Sequence, residues 1–216
     1  MSRPIVIAHH LIWTAYGTWL PNDPRGSGSQ SVASDVLREL GELHYGRKRI
    51  QPAGWEIRRF YDRAYDKLRF GTLPFTSKEI NVIASAFAKV CETEQYTCYA
   101  CAIMSDHVHL VIRKHKDQAE AMIENLRALS RKRLEASFVR FAGHPIWTGG
   151  GGWNVFLDHP DDVERTIRYV RQNPLQARMS PQAWPFVKQY DRWPLHPGHS
   201  QQSPYVKALK KAGRYP

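Results

Sequence analysis

The sequence predicts an α+β fold built on an antiparallel sheet. Apolar runs rich in β-branched and aromatic residues alternate with amphipathic stretches of helical period. Two of the helical stretches also begin with recognisable start signals. The predicted strands cover residues 5–20, 96–103, 107–113 and 153–158, and the predicted helices cover 76–94, 118–136 and 160–173. This order is the ferredoxin-like βαββαβ pattern with one extra C-terminal helix.

The helix boundaries follow from capping chemistry. Thr76 and Glu79 have the spacing of a capping box, in which each side chain binds the other residue's backbone N–H. Pro160, followed by two aspartates, is a typical first turn, because proline lacks the N–H that would be unpaired there. Pro174 predicts that this last helix ends near Asn173.

The regions outside these elements are predicted to be irregular. Residues 1–175 are expected to form one domain, in which 20–74 is an irregular insertion, and residues 176–216 an irregular basic tail. The insertion mixes basic and aromatic side chains, a composition that suits phosphates and stacked bases. A solvated loop with a few packed aromatics explains the same composition equally well.

The charge balance restricts the class of partner. The 216 residues carry a formal net charge of +11, which favours a polyanion such as nucleic acid, although a basic soluble protein without such a partner has the same balance. No apolar run is long enough to span a bilayer and no signal-peptide pattern is present, so a cytoplasmic, nucleoid-associated protein without a membrane partner is expected.

The three cysteines do not predict a disulfide framework or a zinc site. Cys98 and Cys101 form a C-x-x-C spacing, but no second pair is available to complete a zinc site. On a regular strand, positions three apart face opposite sides. We therefore expect Cys91, Cys98 and Cys101 to be buried free thiols.

Two histidines stand out in the strand at 107–113. Residues two apart on a strand share a face, so His107 and His109 are expected side by side, about 7 Å apart along the strand. Two imidazoles so placed can bind one divalent cation. Two histidines on a solvated sheet face are the alternative, and the pair alone leaves both interpretations open.

The last predicted helix carries a candidate nucleophile. Tyr169 and Asn173 are four residues apart and share a helix face at the rim of its apolar stripe. A tyrosine hydroxyl there can reach a site on the sheet. It can also be an amphipathic side chain whose hydroxyl simply reaches solvent.

Three segments together resemble one protein family. The segment MSDHVHLVI is similar to the His-hydrophobic-His motif of the single-tyrosine HUH endonucleases. The segment YVRQNP resembles the tyrosine helix of the REP-associated tyrosine transposases and related insertion-sequence transposases, and the early WTAYGTWLPNDPRG resembles their first strand and loop. The resemblance covers roughly residues 5–175 and includes the predicted element order between the motifs.

The resemblance implies a function and a site. It implies a transposase-like enzyme that cleaves and joins single-stranded DNA near hairpins through a 5′-phosphotyrosine intermediate. Tyr169 would be the nucleophile, and His107, His109 and Asn173 would hold Mg²⁺ or Mn²⁺. We expect the phosphates to be contacted by Arg113, Lys114, Arg131 and Arg133. Whether the partner complex contains a monomer or a homodimer is left open.

Three alternatives remain at this point. The first is a domesticated hairpin DNA-binding protein that no longer cleaves. The second is a metal-dependent phosphoesterase that uses water, although its further ligands are not evident. The third is an RNA-binding ferredoxin-like module, but histidines stand where such a module needs stacking aromatics.

Overall fold

A computed structural model describes residues 5–27, 35–150, 152–192 and 200–214. Parts of the predicted insertion, 20–74, and of the predicted tail, 176–216, therefore lie outside the described residues. The described strands are β1 (Ala8–Thr14), β2 (Cys98–Ile103), β3 (His107–Arg113) and β4 (Trp153–Leu157). The described α-helices are α1 (Asp35–Arg38), α2 (Gly54–Tyr65), α3 (Ser77–Thr93), α4 (Ala119–Ser137), α5 (Pro160–Gln176) and α6 (Pro204–Lys211).

The four strands form one sheet in the order β2-β3-β1-β4, and all neighbouring strands are antiparallel. This is the strand order of a ferredoxin-like fold, so the predicted fold class is confirmed. The register of the central pair places Thr14 opposite His107 and Ile12 opposite His109. The histidine strand is therefore paired on both sides, between β2 and β1.

Helices cover both faces of the sheet. Helices α3 and α4 pack on the face formed by Val108, Leu110 and Ile112, and this layer is the larger apolar core. Helices α5 and α6 pack on the opposite face, around Val111 and Leu157. Helix α5 therefore covers part of the face that carries His107 and His109.

Two element boundaries differ from the sequence prediction. Strand β1 ends at Thr14 instead of residue 20, because Gly17 and Trp19 adopt positive φ angles of 76° and 50° and turn the chain. Helix α5 continues through Pro174 to Gln176, so the predicted stop near Asn173 was wrong. A proline only biases the preceding residue away from helical geometry, and here the buried Pro174 lies in the last turn.

The cysteines are buried and free, as predicted. Cys98 and Cys101 nevertheless lie on the same face of β2, because the register shifts between Cys98 and Ala100 and brings the two cysteines opposite Ile112 and Leu110. The extra residue of this bulge was not recognisable from spacing. Burial raises the pKa of all three thiols, that of Cys91 to about 12.

The two regions predicted to be irregular contain structure. The insertion includes α2, which packs with Leu20 and Leu40 in a small separate core through Phe60 and Ala64. The tail includes α6, whose Val206 and Leu209 are fully buried beneath the sheet. No helix in the described part of the chain is long and apolar enough to cross a bilayer.

Candidate active site

His107 and His109 lie next to each other at the start of β3. Their ring centroids are 4.9 Å apart and the planes are nearly perpendicular. His109 is 5% exposed, whereas the His107 side chain is 21% exposed. The pair thus consists of one buried and one partly exposed imidazole, on the sheet face opposite the α3–α4 core.

Each imidazole is bound through its Nδ1 atom. The Nδ1 of His107 is 2.7 Å from Oδ1 of Asp106, a carboxylate that can only accept when ionised. The Nδ1 of His109 is 3.0 Å from Nε2 of His10 on β1. With a proton on both Nδ1 atoms, the Nε2 atoms of His107 and His109 keep their lone pairs for a ligand.

Tyr169 lies over the buried member of this pair, His109, and over its partner His10. Its ring packs edge-on against His109 and His10, with centroid distances of 5.7 and 6.1 Å. Helix α5 fixes this position because Val163, Ile167 and Val170 are buried against the sheet. Tyr169 remains 44% exposed, so an external substrate can reach its hydroxyl.

Burial governs the charge of the inner histidines. It lowers the pKa of His10 to about 4 and that of His109 to about 2, the latter also through the neighbouring imidazoles. Both rings are therefore neutral at physiological pH, as a metal-binding imidazole must be. Groups of such low pKa are also poor proton acceptors for a phenol, whose ordinary pKa is near 10.

The acidic neighbour of His107 is kept ionised. Burial alone would raise the pKa of Asp106, but the hydrogen bond from His107 and the charge of Arg25 help to outweigh burial, and the pKa is lowered. An ionised carboxylate holds the His107 ring in one orientation and one tautomer. Asp106 thus supports His107 as His10 supports His109.

The Asn173 side chain is bonded within its own helix. Its amide nitrogen donates to the backbone carbonyl of Tyr169, 3.1 Å away, and the residue is half-buried on α5. Among the residues that the structure describes, no group of three or more His, Cys, Asp or Glu side chains could hold a metal ion. No described His, Cys, Asp or Glu side chain therefore joins the two imidazoles in such a group.

The four predicted DNA contacts lie away from the histidines. Arg113 is at the far end of β3, about 20 Å from His107 by strand rise, and Lys114 follows it. Arg113 is buried and donates to the Tyr99 hydroxyl and to Asp191 of the tail. Its guanidinium stabilises the fold, a role that its position in the sequence did not reveal.

Arg131 and Arg133 lie on α4, the helix that covers the opposite face of the sheet. Arg133 donates to the Ser85 hydroxyl of α3. The sequence places this basic helix near the histidine strand, but the sheet itself separates the helix from the two imidazoles.

His10 is the site residue that sequence reasoning missed. A signal existed, because His9 and His10 are adjacent on a strand and one of them had to share the face of His107 and His109. The β1–β3 register selects His10, which lies opposite Val111. His9 points to the other face and binds Asn154 of β4.

Comparison with known proteins supports a transposase relationship over the central segment. Residues 73–173 match the family model described as "Transposase IS200 like". This segment is 101 of the 216 residues and contains His107, His109 and Tyr169. The resemblance to insertion-sequence transposases is therefore confirmed for this part of the chain.

Solved structures show only distant likeness. One is a REP-associated tyrosine transposase bound to a REP hairpin, with 11% identity, a TM-score of 0.43 and coverage of 100% of this chain and 87% of that chain. A candidate transposase from Deinococcus radiodurans R1 has 11% identity, a TM-score of 0.39 and coverage of 83% and 96%. At these scores the fold assignment rests on the observed sheet order alone. No curated protein matches the chain.

Proposed function

We propose that this chain, whose residues 73–173 belong with the IS200-like transposases, cleaves and rejoins single-stranded DNA through Tyr169. The observation that carries the proposal is the packing of the Tyr169 ring against His109, next to His107, on an accessible part of the sheet. A nucleophile and two imidazoles on one face are groups that metal-assisted phosphoryl transfer can use.

In the proposed reaction the Tyr169 oxygen attacks the scissile phosphorus. The bond from phosphorus to the 3′ oxygen breaks, the 3′ oxygen takes up a proton, and the phenol loses its proton. The products are a 5′-phosphotyrosine link and a free 3′-hydroxyl. The link conserves the phosphodiester, so another 3′-hydroxyl can reverse the step and join strands.

The residues present fit a divalent cation, Mg²⁺ or Mn²⁺. His107 and His109 would hold it through their Nε2 atoms, because Asp106 and His10 occupy the two Nδ1 atoms. When bound, the cation supplies Lewis-acid polarisation of a non-bridging phosphate oxygen. Asn173 remains a proposed third ligand through its Oδ1 atom, because its bond to the carbonyl of Tyr169 uses only the amide nitrogen.

The surface around the histidines suits single-stranded DNA. Trp153 and Val155 of β4 share the face of Ile12 and His10 and are exposed, at 41% and 39%. An exposed indole beside the site offers a base a stacking surface. The net charge of +11 provides the general attraction for a phosphate backbone.

The test is a denaturing-gel assay with hairpin-bearing single-stranded oligonucleotides from beside the gene, with Mg²⁺, Mn²⁺ or a chelator. We expect a metal-dependent covalent adduct with the wild type and Tyr45→Phe, and none with Tyr169→Phe. Tyr45 is also an exposed tyrosine and controls for general effects of the substitution.

Two other results would contradict the proposed reaction. Cleavage that survives Tyr169→Phe would identify water as the nucleophile. Binding of a hairpin by both proteins, with cleavage by neither, would identify a hairpin-binding protein without transposase chemistry.

A further inference from the structure

The segment between β1 and α2, residues 15–27, lies against the turn that precedes His107. The backbone N–H of Ala15 donates to the carbonyl of Asp106 at 2.7 Å, and the Thr18 hydroxyl lies 3.1 Å from the same oxygen. The side chains of this segment are therefore held close to Asp106, the residue that orients His107.

Later residues of the insertion, Tyr61, Leu68 and Thr72, contact this segment from the other side. A Cβ at Gly17 would lie 2.7 Å from Cγ2 of Thr72 and 3.0 Å from Cδ1 of Leu68, so only glycine allows this approach. The next turn places Trp19 at a positive φ of 50°, an uncommon conformation for a bulky residue, and its N–H donates to the Tyr61 hydroxyl of α2. The segment is thus built into a fixed shape.

At the centre of this arrangement is Arg25. Its Nε and Nη2 atoms donate to the two carboxylate oxygens of Asp23 at 2.8 and 2.7 Å. Its guanidinium stacks on the Trp19 ring, with Cζ 3.7 Å from the ring centroid. Tyr61 donates to the same carboxylate at 2.5 Å and is held protonated, since burial and Asp23 raise its pKa. The orientation of Arg25 is therefore determined by three side chains.

This arrangement leaves part of the guanidinium available. The Asp23 side chain is fully buried, whereas that of Arg25 is 23% exposed. The five N–H groups of an arginine are only partly used, because Nη1 has no hydrogen-bond partner among the described residues. The hydrogen bonds of Ala15 and Thr18 to the Asp106 carbonyl hold this segment beside the turn that precedes His107.

We infer that Arg25, oriented by Asp23, Trp19 and Tyr61, binds a backbone phosphate of the DNA beside the scissile one and thereby positions the strand at Tyr169. This inference rests on the proposed function for the identity of the strand. An oriented guanidinium suits a phosphate, because its planar N–H groups match the phosphate oxygens. Arg25 is thus a positioning residue supplied by the insertion.

The test combines a protein substitution with a substrate substitution. Hairpin-bearing single-stranded oligonucleotides carry one neutral methylphosphonate at each position in turn, and their affinities for the wild type and Arg25→Gln are measured. We expect one position to weaken wild-type binding about 10-fold or more, as for a charge-assisted hydrogen bond. The same position should have no further effect in Arg25→Gln.

Two further measurements separate this role from a structural one. The slope of log affinity against log salt should fall in magnitude by about 0.7 in Arg25→Gln, the value for one phosphate on a single strand. Lys89→Gln, which removes an exposed charge on α3, should retain the wild-type dependence on the phosphate near the scissile position. If Arg25→Gln does not fold, Arg25→Lys keeps the charge beside Asp23 and is expected to show a weakened dependence on the same phosphate.

The outcomes distinguish the inference from the proposed function. Phosphate effects that are equal in the wild type and the folded Arg25 variant would overturn the role of Arg25, whatever the adduct assay shows. Intact binding without adduct by the wild type would overturn tyrosine chemistry alone, and the phosphate comparison would still decide on Arg25. A wild-type protein that binds none of the oligonucleotides would overturn both.

Discussion

The two faces of β3 differ in the polarity of their side chains and in what covers them. On one face Val108, Leu110 and Ile112 are fully buried beneath α3 and α4 in a continuous apolar core. On the other face His107 and His109 sit partly under α5, and their polar atoms bind Asp106 and His10. One face of β3 thus packs in an apolar core, and the opposite face carries a polar site.

The difference shows how a sheet can tolerate buried histidines. A buried polar atom costs free energy unless it is hydrogen-bonded, and the imidazoles of His109 and His10 bind each other while remaining neutral. The side chains of Val108, Leu110 and Ile112 have no polar atom and therefore no such requirement. Substitutions on the two faces should therefore affect different properties, stability on one and activity on the other.

The largest effect on stability is expected on the apolar face. Leu110→Ala removes a side chain with no exposed surface and should lower the free energy of unfolding by about 2–5 kcal/mol. Urea denaturation of the wild type and the variant measures this loss. Val155→Ala on the exposed part of the other face should change stability by less than about 0.5 kcal/mol, and a similar loss for both variants would contradict the comparison.

A large effect on activity is expected on the histidine face of β3. His109→Gln should reduce adduct formation about 100-fold or more, because it replaces a proposed metal ligand while keeping a hydrogen-bonding side chain next to His10. The measurement is the rate of adduct formation at saturating Mg²⁺ or Mn²⁺, alongside a thermal melt. Leu110→Ala, measured below its melting temperature, should retain the wild-type rate within a few-fold. A normal rate in His109→Gln would remove His109 from the site.

A smaller effect is expected from pH on the stability of the metal-free protein. The pKa values of His10 and His109 are lowered in the folded state to about 4 and 2, from an ordinary 6.5. Below pH 6.5 the unfolded state binds more protons, so the free energy of unfolding should fall as pH is lowered, by at most about 1.4 kcal/mol per pH unit for each histidine. Above that pH these two residues add no pH dependence.

Urea denaturation between pH 4.5 and 8 with a chelator measures this dependence. His10→Gln removes one of the two buried imidazoles and should reduce the slope between about pH 4.5 and 6.5 by up to one proton. An unchanged slope in His10→Gln would mean that the buried pair does not resist protonation.

The smallest effect is expected on the outer surface of α4. Arg131→Gln should reduce adduct formation less than about 3-fold, because α4 covers the sheet face opposite the histidines. Its effect on DNA affinity should be limited to a small change in salt dependence. A loss of DNA affinity as large as that of Arg25→Gln would show that DNA also follows the α4 side, and would support the phosphate contact predicted for Arg131 from the sequence.

Local patterns in the sequence were sufficient to locate the four strands and helices α3, α4 and α5. The period of two gave β3 its observed limits, His107 to Arg113, and placed its two histidines on one face. The capping box of Thr76 and Glu79 predicted the start of α3, and both of its hydrogen bonds are present. These features depend on residues a few positions apart, so the sequence displays their physical cause directly.

Tertiary structure determined which distant groups meet. His10 and His109 are 99 residues apart, and only the register of β1 against β3 brings them together. Asp191 of the tail accepts a hydrogen bond from Arg113 of β3. Helix α5 packs on the histidine face of the sheet and so places Tyr169 over His109. Periodicity specifies the face of an element, but the partner of that face depends on register, bulges and packing, because these are set by the burial of the whole chain.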